Sequence, residues 1–256
     1  MLRDNSDASW EKWGKQNPYY AVLTDNKFRN ENLNGNAITD FFETGCDHVE
    51  RVLKLTSVHL GGISSRKSAL DFGCGVGRLV IPFAKKFEHV TAVDVSETML
   101  ETAKENCSKR NVTNVDFVRS DDELTKVVGK FDFIHSYIVL QHIPVRRGEQ
   151  IIGRLSERLS NGGILALHFP FLSKKSSLRR STYSLRKNFI PLQMLANLVL
   201  RRSRGEPFMQ MNCYRVDRVL NILSDHGIVD IFIEVEDVGD GFVSAFVFAK
   251  RLTQAQ

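Results

Sequence analysis

This chain is short of the residues that small cross-linked or metal-dependent proteins rely on. Its 256 residues include four cysteines, Cys46, Cys74, Cys107 and Cys213, and no two of them make a C-x-x-C pair. That spacing excludes a zinc ribbon, gives no reason to expect any metal, and argues against a disulfide framework. Thiols used so sparingly fit a reducing, cytoplasmic setting. No run approaches the roughly 18 apolar residues that a membrane span requires. The first residues, Met-Leu-Arg-Asp-Asn-Ser-Asp, are polar and carry no apolar signal core. There is no internal repeat and no low-complexity tract. A net charge of +5 is too modest to imply nucleic acid by itself.

What is present is a regular alternation. With 42% hydrophobic and 25% charged residues, the chain suits one globular domain carrying an extension or insertion. Residues 1–36 are polar with embedded aromatics, Trp10, Trp13, Tyr19, Tyr20 and Phe28. Asn17-Pro18 and the asparagine-rich stretch at 32–36 have loop composition. Residues 37–60 carry a helical apolar pattern that Gly61-Gly62 ends. Strands are then expected at Ser68–Phe72, Val90–Val95, Val115–Arg119, Phe131–Tyr137 and Ile164–Phe169. Helical patterns lie between them, one following Ser96 as its N-cap and another running from about Arg146 to Leu159, where Asn161-Gly162-Gly163 breaks it. After residue 171 the alternation pauses for about forty residues. It resumes with a helix at 214–226 and strands at 229–235 and 242–250, whose connecting Asp-Val-Gly-Asp-Gly predicts antiparallel pairing. The order predicts an α/β protein with a mostly parallel, doubly wound sheet covered on both faces.

The most informative run is Ala69-Leu-Asp-Phe-Gly-Cys-Gly-Val-Gly-Arg78. A strand ends at Asp71 and turns into three alternate glycines, Gly73, Gly75 and Gly77. Glycines at such a turn accept positive φ and let a ligand approach the main chain. The dinucleotide fingerprint needs its third glycine where this chain has Arg78. No Lys-Ser or Lys-Thr follows the glycines, so a P-loop is excluded. In open α/β sheets the ligand sits outside the carboxyl ends of the strands. Those ends hold Asp71, Asp94 about twenty residues beyond the loop, Asp121-Asp122, and Ser136-Tyr137 with the segment to His142.

Here the chain resembles the class I S-adenosylmethionine-dependent methyltransferases, of the bacterial small-molecule and glycan type. The matching segments are 69–78, Val93-Asp-Val-Ser-Glu-Thr-Met-Leu100, Phe117-Val-Arg-Ser-Asp121, Phe131-Asp-Phe-Ile-His-Ser136 and Leu159-Ser-Asn-Gly-Gly-Ile164, in the family's order and spacing. The resemblance implies a Rossmann-like seven-stranded sheet with an antiparallel edge strand. It implies S-adenosyl-L-methionine as cofactor and S-adenosyl-L-homocysteine as product. Gly73, Gly75 and Gly77 would pack against the methionine moiety, with Asp71 near its amino group. Asp94 would bind the ribose hydroxyls, with Val95 and Met99 beside the adenine. Asp121 would contact the adenine, with Asp122 as a second candidate. Ser136 and Tyr137 would line the methyl-transfer channel. A general base is needed only if the acceptor must lose a proton, and His142 is the first candidate, ahead of His168. His135 is expected to point into the sheet. Residues 10–45 resemble N-terminal extensions of some members, in which Tyr20, Arg29 or Gly45 would close over the cofactor as a lid. Packing on the core is the competing expectation. Residues 1–62 are thus read as a helical extension and 63–256 as the core, with 171–213 a cap.

The cap is basic. Lys174, Lys175, Arg179, Arg180, Arg186, Lys187, Arg201, Arg202, Arg204 and Arg215 face a single acid, Glu206. Three readings stand: a helix packed on the domain, a pocket for an anionic or lipid-linked acceptor, or a peripheral membrane contact through 174–204. The expected acceptor is a hydroxyl or amine of a small molecule or glycan. RNA or protein methylation, or a cofactor-binding sensor without turnover, are the alternatives. Strand four ends in His-Ser-Tyr-Ile, not the Asp/Asn-Pro-Pro-Tyr/Phe of DNA N-methyltransferases.

Overall fold

The computed structural model of the chain describes residues 6–175, 205–237, 239 and 241–252. Three helices come first: α1 (Ser6–Gln16), α2 (Pro18–Val22) and α3 (Gly35–Leu60). The alternating part follows as β1 (Ser68–Phe72), α4 (Val80–Ala84), β2 (His89–Asp94), α5 (Glu97–Ser108), β3 (Val115–Arg119), β4 (Phe131–Ser136), α6 (Val145–Glu157), β5 (Leu159–Ser173), α7 (Val216–Asp225), β6 (Ile228–Asp237) and β7 (Phe242–Arg251).

The strands form one sheet in the order β3-β2-β1-β4-β5-β7-β6. All neighbours from β3 to β5 are parallel, whereas β7 runs antiparallel to both β5 and β6. The reversed strand is therefore one in from the edge, and β6 forms the edge itself. This is the predicted α/β architecture. Because β1, β2 and β4 are central and buried, they carry apolar residues on both faces. One face packs Phe133, Ala166 and Phe246 against Phe41, Val49 and Val52 of α3, Phe83 of α4 and Met99 of α5. The other packs Leu70, Ile134 and Leu165 against Ile152 and Leu155 of α6 and Val219 and Leu223 of α7. Each such side chain contributes about 1.5–3 kcal/mol by leaving water.

The N-terminal helices share the first of these cores. Trp13, Tyr20 and Phe28 are buried in it. Of the expected Asn17-Pro18 loop, Asn17 stays outside the helix as its N-cap, but Pro18 opens α2. Proline is favoured in a first turn, where its missing N–H costs nothing, and α2 then lays Tyr19 edge-on to Phe41 at 5.1 Å. Helix α3 opens on Asn34, whose side chain accepts from the Ala37 amide, and closes on Gly61 at φ +66°. Strand β5 departs from expectation by starting five residues earlier. Leu159 already pairs with Phe131, and the register shifts between Phe131 and Phe133. Gly162, at φ +73°, makes an irregularity inside the strand and does not end a helix.

Most of the predicted basic cap, residues 176–204, lies outside the described residues, and with it the membrane-contact reading. At its described margins Lys174 pairs with Asp237 at 2.7 Å and Arg215 with Asp217 at 2.6 Å. Glu206 pairs with Arg29 at 3.0 Å. No helix among the described residues is long and apolar enough to cross a membrane.

Candidate functional site

The carboxyl ends of β1, β2 and β4 open into one cavity, as expected for this sheet. Asp71, Gly73, Gly75, Asp94, Val95, Met99, Asp122, Tyr137 and His142 all line it. Gly77, Asp121, Ser136, Tyr20 and Gly45 do not.

The glycine loop is held by the neighbouring strand. The amides of Gly73 and Cys74 both donate to the Val93 carbonyl, at 2.7 and 3.0 Å. Gly73 and Gly75 have φ +77° and +52°, and added Cβ atoms would stand 2.3 Å from Val139 Cγ2 and 2.6 Å from Val22 Cγ2. Side chains are excluded there by both backbone and space. Gly77 packs on Ala103 of α5 and keeps the loop close to that helix.

Asp71 is buried and accepts from His135 Nδ1–H at 2.9 Å. His135 Nε2 lies 3.1 Å from His48 Nε2 on α3. With Nδ1 of His135 donating, its Nε2 accepts from His48. Burial, then the neighbouring His135, Arg78 and Arg51, push the His48 pKa well down, so the His48 ring is neutral. His135 thus points into the sheet face, as predicted.

Asp94 accepts from the Gly75 amide at 2.8 Å and the Ser96 amide at 2.9 Å. Burial outweighs these donors and the Val95 amide, and pushes the carboxyl up to about 6. A ligand hydroxyl donating to this carboxylate would favour its charged form.

The two acids after β3 divide. Asp121 turns away and bonds its own turn, through the Thr125 amide at 2.9 Å and hydroxyl at 2.5 Å. Asp122 faces the cavity, where Arg147 Nε reaches it at 2.6 Å. The same guanidinium holds Asp7 at 2.7 and 2.8 Å, pinning α1 across the rim. Helix α1 is also fixed by Glu11, which accepts from the Ser96 hydroxyl at 2.8 Å and the Thr98 hydroxyl at 2.6 Å. Burial alone would raise the Glu11 carboxyl, but these donors hold it at about 2. The two tryptophans split between the competing expectations: Trp13 is core, and Trp10 is cavity wall, 4.9 Å from the His142 ring.

His142 is buried at the start of the segment leading to α6. Its Nδ1–H donates to the Gln210 carbonyl at 2.6 Å, which leaves the lone pair on Nε2, 3.3 Å from the Gln141 amide nitrogen. Burial lowers its pKa to about 4, so the ring is neutral at pH 7. Tyr137 has its ring 4.0 Å from His48 and 4.6 Å from His168. His168 itself does not line the cavity. Ser136 is buried on the opposite sheet face, with no hydrogen-bond partner for its hydroxyl. Tyr20 lies under Arg29, whose guanidinium carbon is 3.8 Å from the ring centre.

Sequence reasoning used Arg78 only to set aside the dinucleotide fingerprint and gave no site role to it, to Arg147 or to Ile138, all on the cavity wall. Ile138 has φ +62°, costly for a β-branched residue and typical of functional loops. Tyr214, just beyond the cap, holds that loop by donating to the carbonyls of Leu140 and Ile143, both at 2.9 Å.

Residues 69–163 match a family model described as a methyltransferase domain. A ubiquinone biosynthesis O-methyltransferase of Coxiella burnetii is 38% identical over 79 residues, which cover 30% of this chain and 33% of that protein. A tRNA/tmRNA (uracil-C(5))-methyltransferase of Nitratiruptor sp. is 36% identical over 77 residues, 27% of this chain and 21% of that one. The chain thus spans about a third or less of the length of these curated relatives. The magnesium protoporphyrin IX methyltransferase of Synechocystis PCC 6803, solved with S-adenosylmethionine bound, superposes with a TM-score of 0.60 at 18% identity, over 98% of this chain and 99% of that one. Residues 69–163 thus match a methyltransferase domain, and the chain as a whole has the seven-stranded fold of that solved methyltransferase.

Proposed function

We propose that this chain transfers a methyl group from S-adenosylmethionine to a hydroxyl or amine of a small molecule or glycan. The observation that carries this reading is the single cavity in which Asp71, the glycine loop and Asp94 converge with the neutral His142. The residues fit the cofactor. Gly73 and Gly75 leave room where a Cβ cannot stand. Asp71 suits an ammonium group, and Asp94 suits a ribose diol. Asp122 and Ser120 face the cavity beyond β3, where the adenine amino group would be met, so Asp122 takes the place given first to Asp121.

When bound, the cofactor supplies a methyl group on a positively charged sulfur, already activated for displacement. The protein's part is alignment and exclusion of water. Trp10, Tyr137, Ile138, Val139 and Ile143 form a largely apolar wall near His142. That wall favours an acceptor whose reacting hydroxyl or amine sits on an apolar or aromatic body. His142 Nε2 takes the proton that the acceptor loses. Attack through a pyrimidine C5 is disfavoured, because it needs a protein thiolate. Cys74, the cysteine on the cavity wall, is buried, and its thiol pKa is pushed well above normal.

Calorimetry with S-adenosylhomocysteine, followed by methyl transfer to phenols, alcohols and amines, tests the proposal. Binding and turnover on such an acceptor are expected. Binding without turnover on any of them would favour the sensor, and no binding at all would end the cofactor reading.

A pH prediction arises from Asp94. Hydroxyl donors on a ligand favour the ionised carboxylate, so binding at low pH must expel a proton. Affinity for S-adenosylhomocysteine is expected to hold above pH 6 and fall about tenfold by pH 5. Asp94→Asn should bind more weakly and lose this dependence. An unchanged pH profile in the variant would count against the role.

A further inference from the structure

Residues 210–214 do not line the cavity, yet they hold the loop that presents His142 to it. That loop is weakly held by its own sequence. It passes through Ile138, at φ +62°, into a single 3₁₀ turn, Leu140–His142, where Val139 at the N-cap makes no side-chain bond. Such a turn has few hydrogen bonds of its own. The missing restraint comes from residues 68 to 74 positions further along the chain. The Asn212 amide and its side-chain Nδ2 both donate to the Gln141 carbonyl, at 2.7 and 3.1 Å. The Tyr214 hydroxyl shares its proton between the Leu140 and Ile143 carbonyls. The segment is itself anchored, because the Tyr214 amide donates to the Pro170 carbonyl of β5 at 2.8 Å.

Tyr214 is fully buried, and it fits because residue 148 on α6 is glycine: a Cβ there would overlap its hydroxyl. Burial pushes the phenol pKa up, so the group remains a donor. The His142 ring is then caught between two groups of fixed polarity. A carbonyl can only accept, so the bond to Gln210 puts the proton on Nδ1. The Gln141 side-chain amide donates to the bare Nε2 at 3.3 Å. The other tautomer would set a lone pair against the Gln210 carbonyl and an N–H against the Gln141 amide. When Nε2 takes the acceptor's proton, Nδ1 still donates to Gln210, which favours the imidazolium.

We propose that residues 210–214 position the base: the Gln210 carbonyl selects the His142 tautomer with a bare Nε2, and the Tyr214 hydroxyl holds the loop so that this selection persists. Tyr214 is a positioning residue, acting through His142 without touching cofactor or acceptor. This rests on the reading of His142 as the base.

Nitrogen-15 NMR reads the ring directly, because protonated and bare ring nitrogens differ in shift. At pH 7 the wild type is expected to carry its proton on Nδ1. Tyr214→Phe keeps the ring and loses the hydroxyl, and its His142 shifts should move toward a mixture of tautomers. Its kcat on a phenol acceptor should fall about 10- to 100-fold, while affinity for S-adenosylhomocysteine by calorimetry stays within about twofold of wild type. Asn212→Ala removes one bond to Gln141 and should do the same to a smaller extent; it is the comparison if Tyr214→Phe folds poorly. In a His142→Gln background, Tyr214→Phe should cost no further turnover. Unchanged ring shifts in both variants, a wild-type proton on Nε2, or the same loss of turnover with and without His142 would each overturn the proposal and leave Tyr214 a packing residue. If His142→Gln turned over as fast as wild type, the base reading itself would fall, and the catalytic role of the segment with it.

Discussion

His142→Ala is expected to lower kcat by about 10²–10⁴-fold, the range that loss of a positioned general base produces. The geometry sets the form of the effect. Nδ1–H is committed to the Gln210 carbonyl at 2.6 Å, so the accepting lone pair belongs to Nε2. Burial lowers the His142 pKa to about 4, so the wild-type acid limb of kcat should fall near pH 4 and not near 6.5. Asp94 titrates near 6 and governs cofactor affinity, so it should appear in kcat/KM for the cofactor. The two limbs can therefore be separated at saturating cofactor. His142→Gln can still donate an amide N–H toward Gln210 but cannot take a proton, so it should recover stability and not turnover. A drop of fivefold or less in both variants would mean that His142 is only cavity wall.

How much of this was legible in the sequence depends on the range of each signal. Strands β1 and β3 lie where the apolar runs placed them, because four or five apolar residues between turn signals need no distant information. The glycine loop, Asp94 and the Ser96 cap were readable for the same reason. Gly61 ended α3 as expected of a left-handed cap. The beginning of β5 was not readable. Asn-Gly-Gly is a break by local rules, and only pairing with Phe131 turns it into an irregular strand.

The site shows the same division. Asp121 and Asp122 are adjacent, and which of them faces the cavity depends on the turn that Asp121 closes with Thr125. Arg147 finds Asp122 twenty-five residues away and Asp7 one hundred and forty away in sequence, and no spacing rule pairs them. Arg78 stands one position past the glycines, where no local pattern signals burial. Its burial arises from Gly45 and Thr44 on α3. Ile138 at φ +62° has no composition signal at all, since β-branched residues rarely adopt that conformation. Tertiary contacts decide these residues, and they gather where ligand would sit.

The fold should be acid-labile in a window that its histidines define. Burial is the leading cause in each of three cases: His142 falls to about 4, His168 to about 3, and His48 lower still. His168 shows why. It is 2% exposed, neither ring nitrogen has a hydrogen-bond partner, and the Glu236 carboxylate oxygen is 3.7 Å from Nε2. All three folded values lie below the unfolded value of about 6.5. As pH drops, the unfolded chain takes up protons that the native state refuses. The stability these rings provide is therefore complete above pH 6.5 and lost on acidification. By pH 4.5 each ring costs about 2–3 kcal/mol. Asp94 works in the opposite sense, since its raised pKa lets the native state bind a proton between about 6 and 4, and it returns about 2 kcal/mol by pH 4.5. The balance is a loss of about 5 kcal/mol, against a typical total of about 5–15. For a chain of this size that corresponds to a melting temperature about 10–20 °C lower at pH 4.5 than at pH 7. His168→Met should blunt the effect, because it keeps the volume, gives up no hydrogen bond and removes one group that resists protonation. Melting curves of wild type and variant between pH 7 and 4.5 measure the difference. Equal melting temperatures for the wild type at the two ends would show that these rings accept protons in the native state.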